Sequence, residues 1–122
     1  MRNYLAVFVG GGIGSSLRYW RSGSVYKVLP SDFPYGNLAV NLLGCFVIGL
    51  LMTALDERFV VQPALRVFLT IGILGGFTTF SSFSFETLAL YRDREVFLAV
   101  INIVSTVAGC LGASYVGTVV GK

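Results

Sequence analysis

The chain has 122 residues, 55% of them hydrophobic and only 12% charged, with a formal net charge of +3 and no histidine. Ordinary soluble domains carry about 25% charged residues, so the class is membrane. The missing histidine removes the usual neutral-pH general base, the commonest metal ligand and the partner of most Ser and Cys nucleophiles, which argues against an enzyme.

A bilayer-spanning helix takes about 20 mainly apolar residues, so four spans use about 80 positions and leave only short loops. The pattern predicts a single integral membrane domain over residues 1–122, an all-α membrane protein with helices at about 4–19, 35–55, 64–90 and 96–120. In the first segment a basic residue, Arg2, precedes an apolar stretch from Asn3 to Leu17, which has the outline of a signal peptide. Arg18 and Tyr19-Trp20 follow directly and read better as interface anchors closing a span. Gly10-Gly11-Gly12-Ile13-Gly14-Ser15-Ser16 at its centre lets another backbone come very close.

Residues Arg21 to Pro34, with Gly23, Pro30 and Asp32, make the longest loop, and the second span ends at Asp56-Glu57-Arg58. Pro63 suits the first turn of the third helix, where its missing donor costs nothing. That helix is crowded by Gly72, Gly75, Gly76, Thr78, Thr79, Ser81, Ser82 and Ser84, and a break is expected near Gly75 to Thr79. Non-helical backbone at membrane depth must be buried in protein or line a wet cavity, so the break marks a functional site. Arg92-Asp93-Arg94-Glu95 is the next turn, and Gly109, Ala113, Gly117 and Gly121 give the fourth span a small-residue face. Cys45 and Cys110 fall inside apolar segments and read as small buried hydrophobes rather than a disulfide.

Four spans put both termini on one side. That side holds Arg2, Arg58, Arg66 and Lys122, and the other holds Arg18, Arg21, Lys27, Arg92 and Arg94, four against five of the nine basic residues. Orientation follows the Lys/Arg bias, so a near-balance predicts insertion in both directions and an antiparallel dimer; the alternative is that one side's charges lie too deep to count. Nowhere do the basic residues form the stripe of a nucleic-acid surface, so none is expected as a partner.

On an unbroken helix, Phe77, Phe80 and Phe83 would share one face, with Thr79, Ser82 and Glu86 on a neighbouring polar line. Hydroxyls and the positive edges of phenyl rings can both face an anion, so the two stripes suit a small, strongly hydrated anion stripped of water without a full charge to trap it. Back-bonding of Ser and Thr, and packing of Phe, are the plainer explanation. Asn41 is costly in a bilayer unless partnered, which fits either a pathway amide or an interhelical hydrogen bond. Asn102, Ser105 and Thr106 add polar groups from the fourth span. Glu86, alone among the acids in lying within the hydrocarbon, invites a functional role, but the favoured reading is a structural ion pair with Arg18.

Three blocks carry a resemblance: Gly11-Gly12 through Gly14 to Arg18-Tyr19, Gly36-Asn37-Leu38-Ala39-Val40-Asn41-Leu42-Leu43-Gly44, and Gly75-Gly76-Phe77-Thr78-Thr79-Phe80-Ser81-Ser82-Phe83 with Glu86. In order and spacing they resemble the small bacterial fluoride channels of the Fluc (CrcB) family. The resemblance implies an antiparallel dual-topology dimer in the bacterial plasma (inner) membrane, with two fluoride pathways exporting the ion passively and the third helix broken at the dimer centre. It implies Phe80 and Phe83 as an aromatic box, Asn41 as a pathway amide, and Thr79, Ser82 and Thr106 as a polar track. Arg18 would help form the vestibule. It further implies a central structural sodium ion on the backbone carbonyls of Gly75 and Thr78 from both subunits. Asn37 and Ser82 stand where the family often has Thr, and Asn102 where some members carry an aromatic residue.

Two rival functions fit less well. A proton-coupled multidrug exporter of four helices needs a membrane-embedded carboxylate in its first span, which holds none. A scaffold subunit would explain the glycines but not the hydroxyl and phenyl lane.

Overall fold

A computed structural model describes residues 1–25, 27–28, 33–57 and 60–122; Pro30, Asp32 and Arg58, used in the sequence reading, lie outside the described residues. Helix α1 runs Arg2–Val25, α2 Tyr35–Glu57, and α6 Val96–Gly121. The third pass is built from α3 (Pro63–Val67), a π-helical stretch (Phe68–Leu74), α4 (Gly75–Phe77) and α5 (Phe80–Arg92). The protein is an all-helical, multi-pass membrane protein whose third pass is broken near its middle.

Three segments, Tyr35–Glu57, Pro63–Arg92 and Val96–Gly121, are long and apolar enough to cross a membrane. Helix α1 is less apolar, because its centre is glycine and it carries Arg2, Arg18 and Arg21, but it packs along the third pass from Gly10 to Gly14 and so lies in the same layer. It also continues to Val25, past the anchors Tyr19 and Trp20. Nothing there stops a helix: Ser24 Oγ donates back to the Trp20 carbonyl at 3.0 Å, and no proline occurs before position 30. Phe33, buried, stacks against Tyr35 at a centroid separation of 4.8 Å and fixes the entry to α2.

Lipid supplies no hydrophobic drive between helices, so close contact and hydrogen bonds must hold the passes together. Glycine supplies the contact. A β-carbon at Gly117 would lie 2.1 Å from the Phe46 carbonyl oxygen, one at Gly49 2.3 Å from that of Ser114, and one at Gly121 2.6 Å from that of Leu50. These touches run in step, so α2 and α6 lie parallel in an extensive interface. Pro63 is the first residue of α3, and Arg66, one turn later, meets Asp56 at 2.8 Å in an exposed ion pair that contributes little. The α5–α6 turn is a Schellman motif: Glu95 N–H donates to Leu90 O and Arg94 N–H to Tyr91 O, with Arg94 at φ 63°.

Candidate functional site

The break consists of two extended residues, Thr78 (φ −89°, ψ 155°) and Thr79 (φ −152°, ψ 123°). Helical bonds lost at membrane depth must be replaced, because each unpaired backbone group there costs several kcal/mol. Residues around the break replace them. Thr78 N–H and Thr78 Oγ1 both donate to the Leu74 carbonyl, at 3.0 and 2.9 Å. Thr79 Oγ1 caps α5 by accepting Ser82 N–H at 3.3 Å, as hydroxyls do at helix starts.

The remaining groups are met from α2. Asn41, 7% exposed, accepts the Thr79 N–H on Oδ1 at 3.0 Å and donates Nδ2–H to the Thr79 carbonyl at 3.1 Å. One amide thus satisfies both backbone groups of one residue, as a neighbouring strand would. Three positions on, Gly44 leaves the space that the Thr78 methyl fills, for a β-carbon there would lie 2.1 Å from Thr78 Cγ2. An amide has two N–H donors, and among the described residues one of Asn41's remains free.

Helix α1 closes the other side of the break. A β-carbon at Gly14 would sit 2.0 Å from the Ile73 carbonyl oxygen, and one at Gly76 2.6 Å from that of Gly11. This approach brings Arg18 level with the break, where its Nε donates to the Gly76 carbonyl at 3.1 Å. The expected Arg18–Glu86 pair is therefore not formed. Glu86 lies about two helical turns beyond the break, where Asn37 Nδ2 donates to its Oε1, and its Oε2 is buried without a partner among the described residues. Among the described residues no hydrogen bond reaches the carbonyls of Gly75 or Thr78, and Gly75 is exposed on its open side.

Phe80 and Phe83 follow the break with ring centroids 5.3 Å apart, tilted at 56°. Phe83 is 8% exposed and Phe80 76%. Phe77 does not continue their line: the two extended residues reorient the chain, and Phe77 is buried beside Leu17, Trp20 and Leu43 in a separate cavity. A cavity of about 330 Å³ gathers Asn41, Thr79, Phe80, Phe83 and Thr106. Ser82 does not line it but joins it through Thr79, whose hydroxyl lies 3.3 Å from Ser82 Oγ and 3.2 Å from Ser81 Oγ. Ser105 bonds back to the Ile101 carbonyl.

Thr87 was not singled out in the sequence and does not line this cavity, yet its hydrogen bonds tie together two elements that do. Asn102, 2% exposed, donates Nδ2–H to Thr87 Oγ1 at 2.8 Å; Thr87 donates to the Phe83 carbonyl at 2.7 Å, and Thr106 Oγ1 donates to Asn102 Oδ1 at 3.4 Å. Its spacing of four from Phe83 was the available signal. Cys45 and Cys110 also line the cavity, a meeting that nothing in their separate apolar segments announces.

The family model for CrcB-like protein, Camphor Resistance (CrcB), matches residues 5–118. A fluoride-specific ion channel FluC of Citrifermentans bemidjiense is 44% identical over 119 residues, 98% of this chain and 94% of its own length. Those of Geotalea uraniireducens and Magnetococcus marinus are 46% and 47% identical, over 98% and 95% of this chain and 94% of their own lengths in both cases. With a matching model over nearly all of its length and relatives of this identity, the chain belongs to the CrcB-like protein family.

Proposed function

We propose that the chain is a fluoride channel that lets the ion leave the cytoplasm passively across the bacterial plasma membrane. The observation that carries this reading is the shared cavity: the Asn41 amide, the Thr79 and Thr106 hydroxyls and the Phe80 and Phe83 rings face one space beside a break in a membrane helix. Its relatives' name, fluoride-specific ion channel FluC, supports the same ion.

Fluoride is small and strongly hydrated, so the lane must replace water with donors and must not hold the ion by a full charge. The second Asn41 N–H and the Ser82 hydroxyl that ends the Thr79–Ser82 chain are such donors, the Thr106 hydroxyl becomes one on leaving Asn102, and the positive ring edges of Phe80 and Phe83 complete an anion-tolerant wall. Helix α5 points its N-terminus at the break, where its partial positive charge favours an anion. Arg18 adds a vestibule charge held aside on the Gly76 carbonyl. Glu86, engaged by Asn37, serves as a structural group.

The functional unit is a homodimer of inverted copies, giving two pathways. Supporting this are the balanced basic residues and the exposure of Phe80 and Gly75, which a second copy would cover at the level of the break. Among the described residues nothing donates to the Gly75 and Thr78 carbonyls, and four such carbonyls from two copies suit a hard ion such as sodium. Sodium bound there would supply positive charge near the anion path.

The test is fluoride efflux from liposomes containing the purified protein, read with a fluoride electrode and repeated with chloride. Rapid fluoride release without chloride release is expected. Asn41→Leu, which orphans both Thr79 backbone groups, should abolish release. No release from folded wild-type protein overturns the reading, and full release by Asn41→Leu removes Asn41 from the path.

A further inference from the structure

The parallel packing of α2 on α6 brings the two cysteines of the chain together. A β-carbon at Gly109 would lie 2.8 Å from Leu42 Cδ2, and Ser114 Oγ donates to the Cys45 carbonyl at 3.1 Å. These contacts bracket Cys45 and Cys110, one on each helix, and set both on the same seam. Both thiols are free and half-buried, and both line the cavity that also holds Asn41, Phe83 and Thr106.

Two free thiols opening on one cavity are a ligand set. The cavity offers them no third strong ligand, for among the described residues no group of three or more His, Cys, Asp or Glu is gathered anywhere. A tetrahedral ion such as zinc, which seeks four nitrogen, sulfur or oxygen ligands, is therefore poorly served. A soft cation content with two thiolates in line needs nothing more, and thiolate is the ligand that selects soft metals.

We infer that Cys45 and Cys110 form a two-thiol site for a soft, linearly coordinating divalent cation, Hg(II) being the probe, and that filling it closes the adjoining fluoride path. Each thiol releases one proton to buffer as its S–Hg bond forms. Two thiolates then balance the two charges of the ion, no electron changes hands, and the product is neutral, as burial in a membrane requires. The ion stands in the space that the Asn41 amide, the Phe83 ring and the Thr106 hydroxyl share. Closure of the path rests on the fluoride reading; binding of the metal does not.

The experiment has two arms on the purified full-length protein. In the first, Hg(II) is titrated against reduced protein and followed by bound metal per chain and by the ultraviolet charge-transfer band of a two-thiolate centre. One ion per chain is expected, lost in Cys45→Ser and in Cys110→Ser. In the second, liposome efflux is read before and after Hg(II). Wild-type fluoride release should fall at least about tenfold, return on adding a small dithiol, and be insensitive in both variants at the same dose. If one variant does not fold, the other tests the same claim. Two ions per chain, or one that survives loss of either cysteine, overturns the site, and stoichiometric binding with unchanged release overturns the closure. Absence of fluoride release before any mercury is added overturns the channel reading instead, and the titration still decides the site.

Discussion

The α2–α6 pair and the pairing of α1 with the broken third pass are both parallel and both rest on glycine, yet they put it to opposite uses. Along α2 and α6 the helices are continuous, and Gly49, Gly117 and Gly121 press helix against carbonyl until little backbone is left free. Between α1 and the third pass, Gly10, Gly14 and Gly76 allow an equally close approach, but to a helix that then stops, leaving carbonyls and hydroxyls at the break outside any helical ladder. The first pair is a frame, and the second holds an opening in place. Absence of a side chain is thus a packing device in one region and a means of presenting backbone in the other.

The largest expected effect is where both regions tolerate nothing. Gly117→Leu and Gly14→Leu drive side chains into carbonyls already 2.1 and 2.0 Å from the β-carbon position, so neither should yield monodisperse protein on size-exclusion chromatography. Even Gly117→Ala should cost about 1–3 kcal/mol by overpacking, seen as a lower midpoint of thermal unfolding in detergent. Equal yields of wild type and Gly14→Leu would mean that α1 does not seat on the third pass as described.

A sharper separation comes from Gly44, which faces the break rather than the frame. Gly44→Ala should displace Thr78, slow fluoride efflux about tenfold or more and leave yield nearly intact. Adding Thr78→Ser removes the Cγ2 methyl in conflict and keeps the hydroxyl that bonds Leu74, so efflux should recover. A double variant as slow as the single one would place the damage elsewhere.

Smaller effects lie farther from the break. Glu86→Gln keeps an acceptor for Asn37 and removes the charge from a carboxylate with one buried oxygen unpartnered, so stability should stay within about 1 kcal/mol and efflux near wild type. Collapse of efflux in folded Glu86→Gln would move that residue into the path. Smallest is Arg94→Gly: with φ at 63° in the Schellman turn, glycine should stabilise by up to about 1 kcal/mol, read from the unfolding midpoint with efflux unchanged.

Sequence carried the fold well because bilayer crossing imposes length and hydropathy directly, and the run from Gly75 to Thr79 contained the break. The reason for the break was less legible. The glycines crowding that run mainly serve the approach of α1, while the extended residues are two threonines held by an amide 38 positions away. Asn41, Thr79, Phe80, Phe83 and Thr106 could be read as polar or aromatic groups on helix faces, and they meet in one cavity. Partner choice could not be read so. Arg18 and Glu86 looked matched on a straight helix, but the break changes the level that each reaches, and Arg18 finds a carbonyl that an unbroken helix would have kept for itself. Phe77 fell out of its supposed stripe for the same reason, since periodicity does not extend across two extended residues.

The amide of Asn41 has one more consequence, for the making of the protein. The interruption at Thr79 is tolerable in hydrocarbon only with that amide in place, and α2, which supplies it, is synthesised before the third pass. The template for the interruption therefore waits in the bilayer when Thr78 and Thr79 leave the ribosome, and the nascent third pass need never cross the membrane as a helix with its break unsupported.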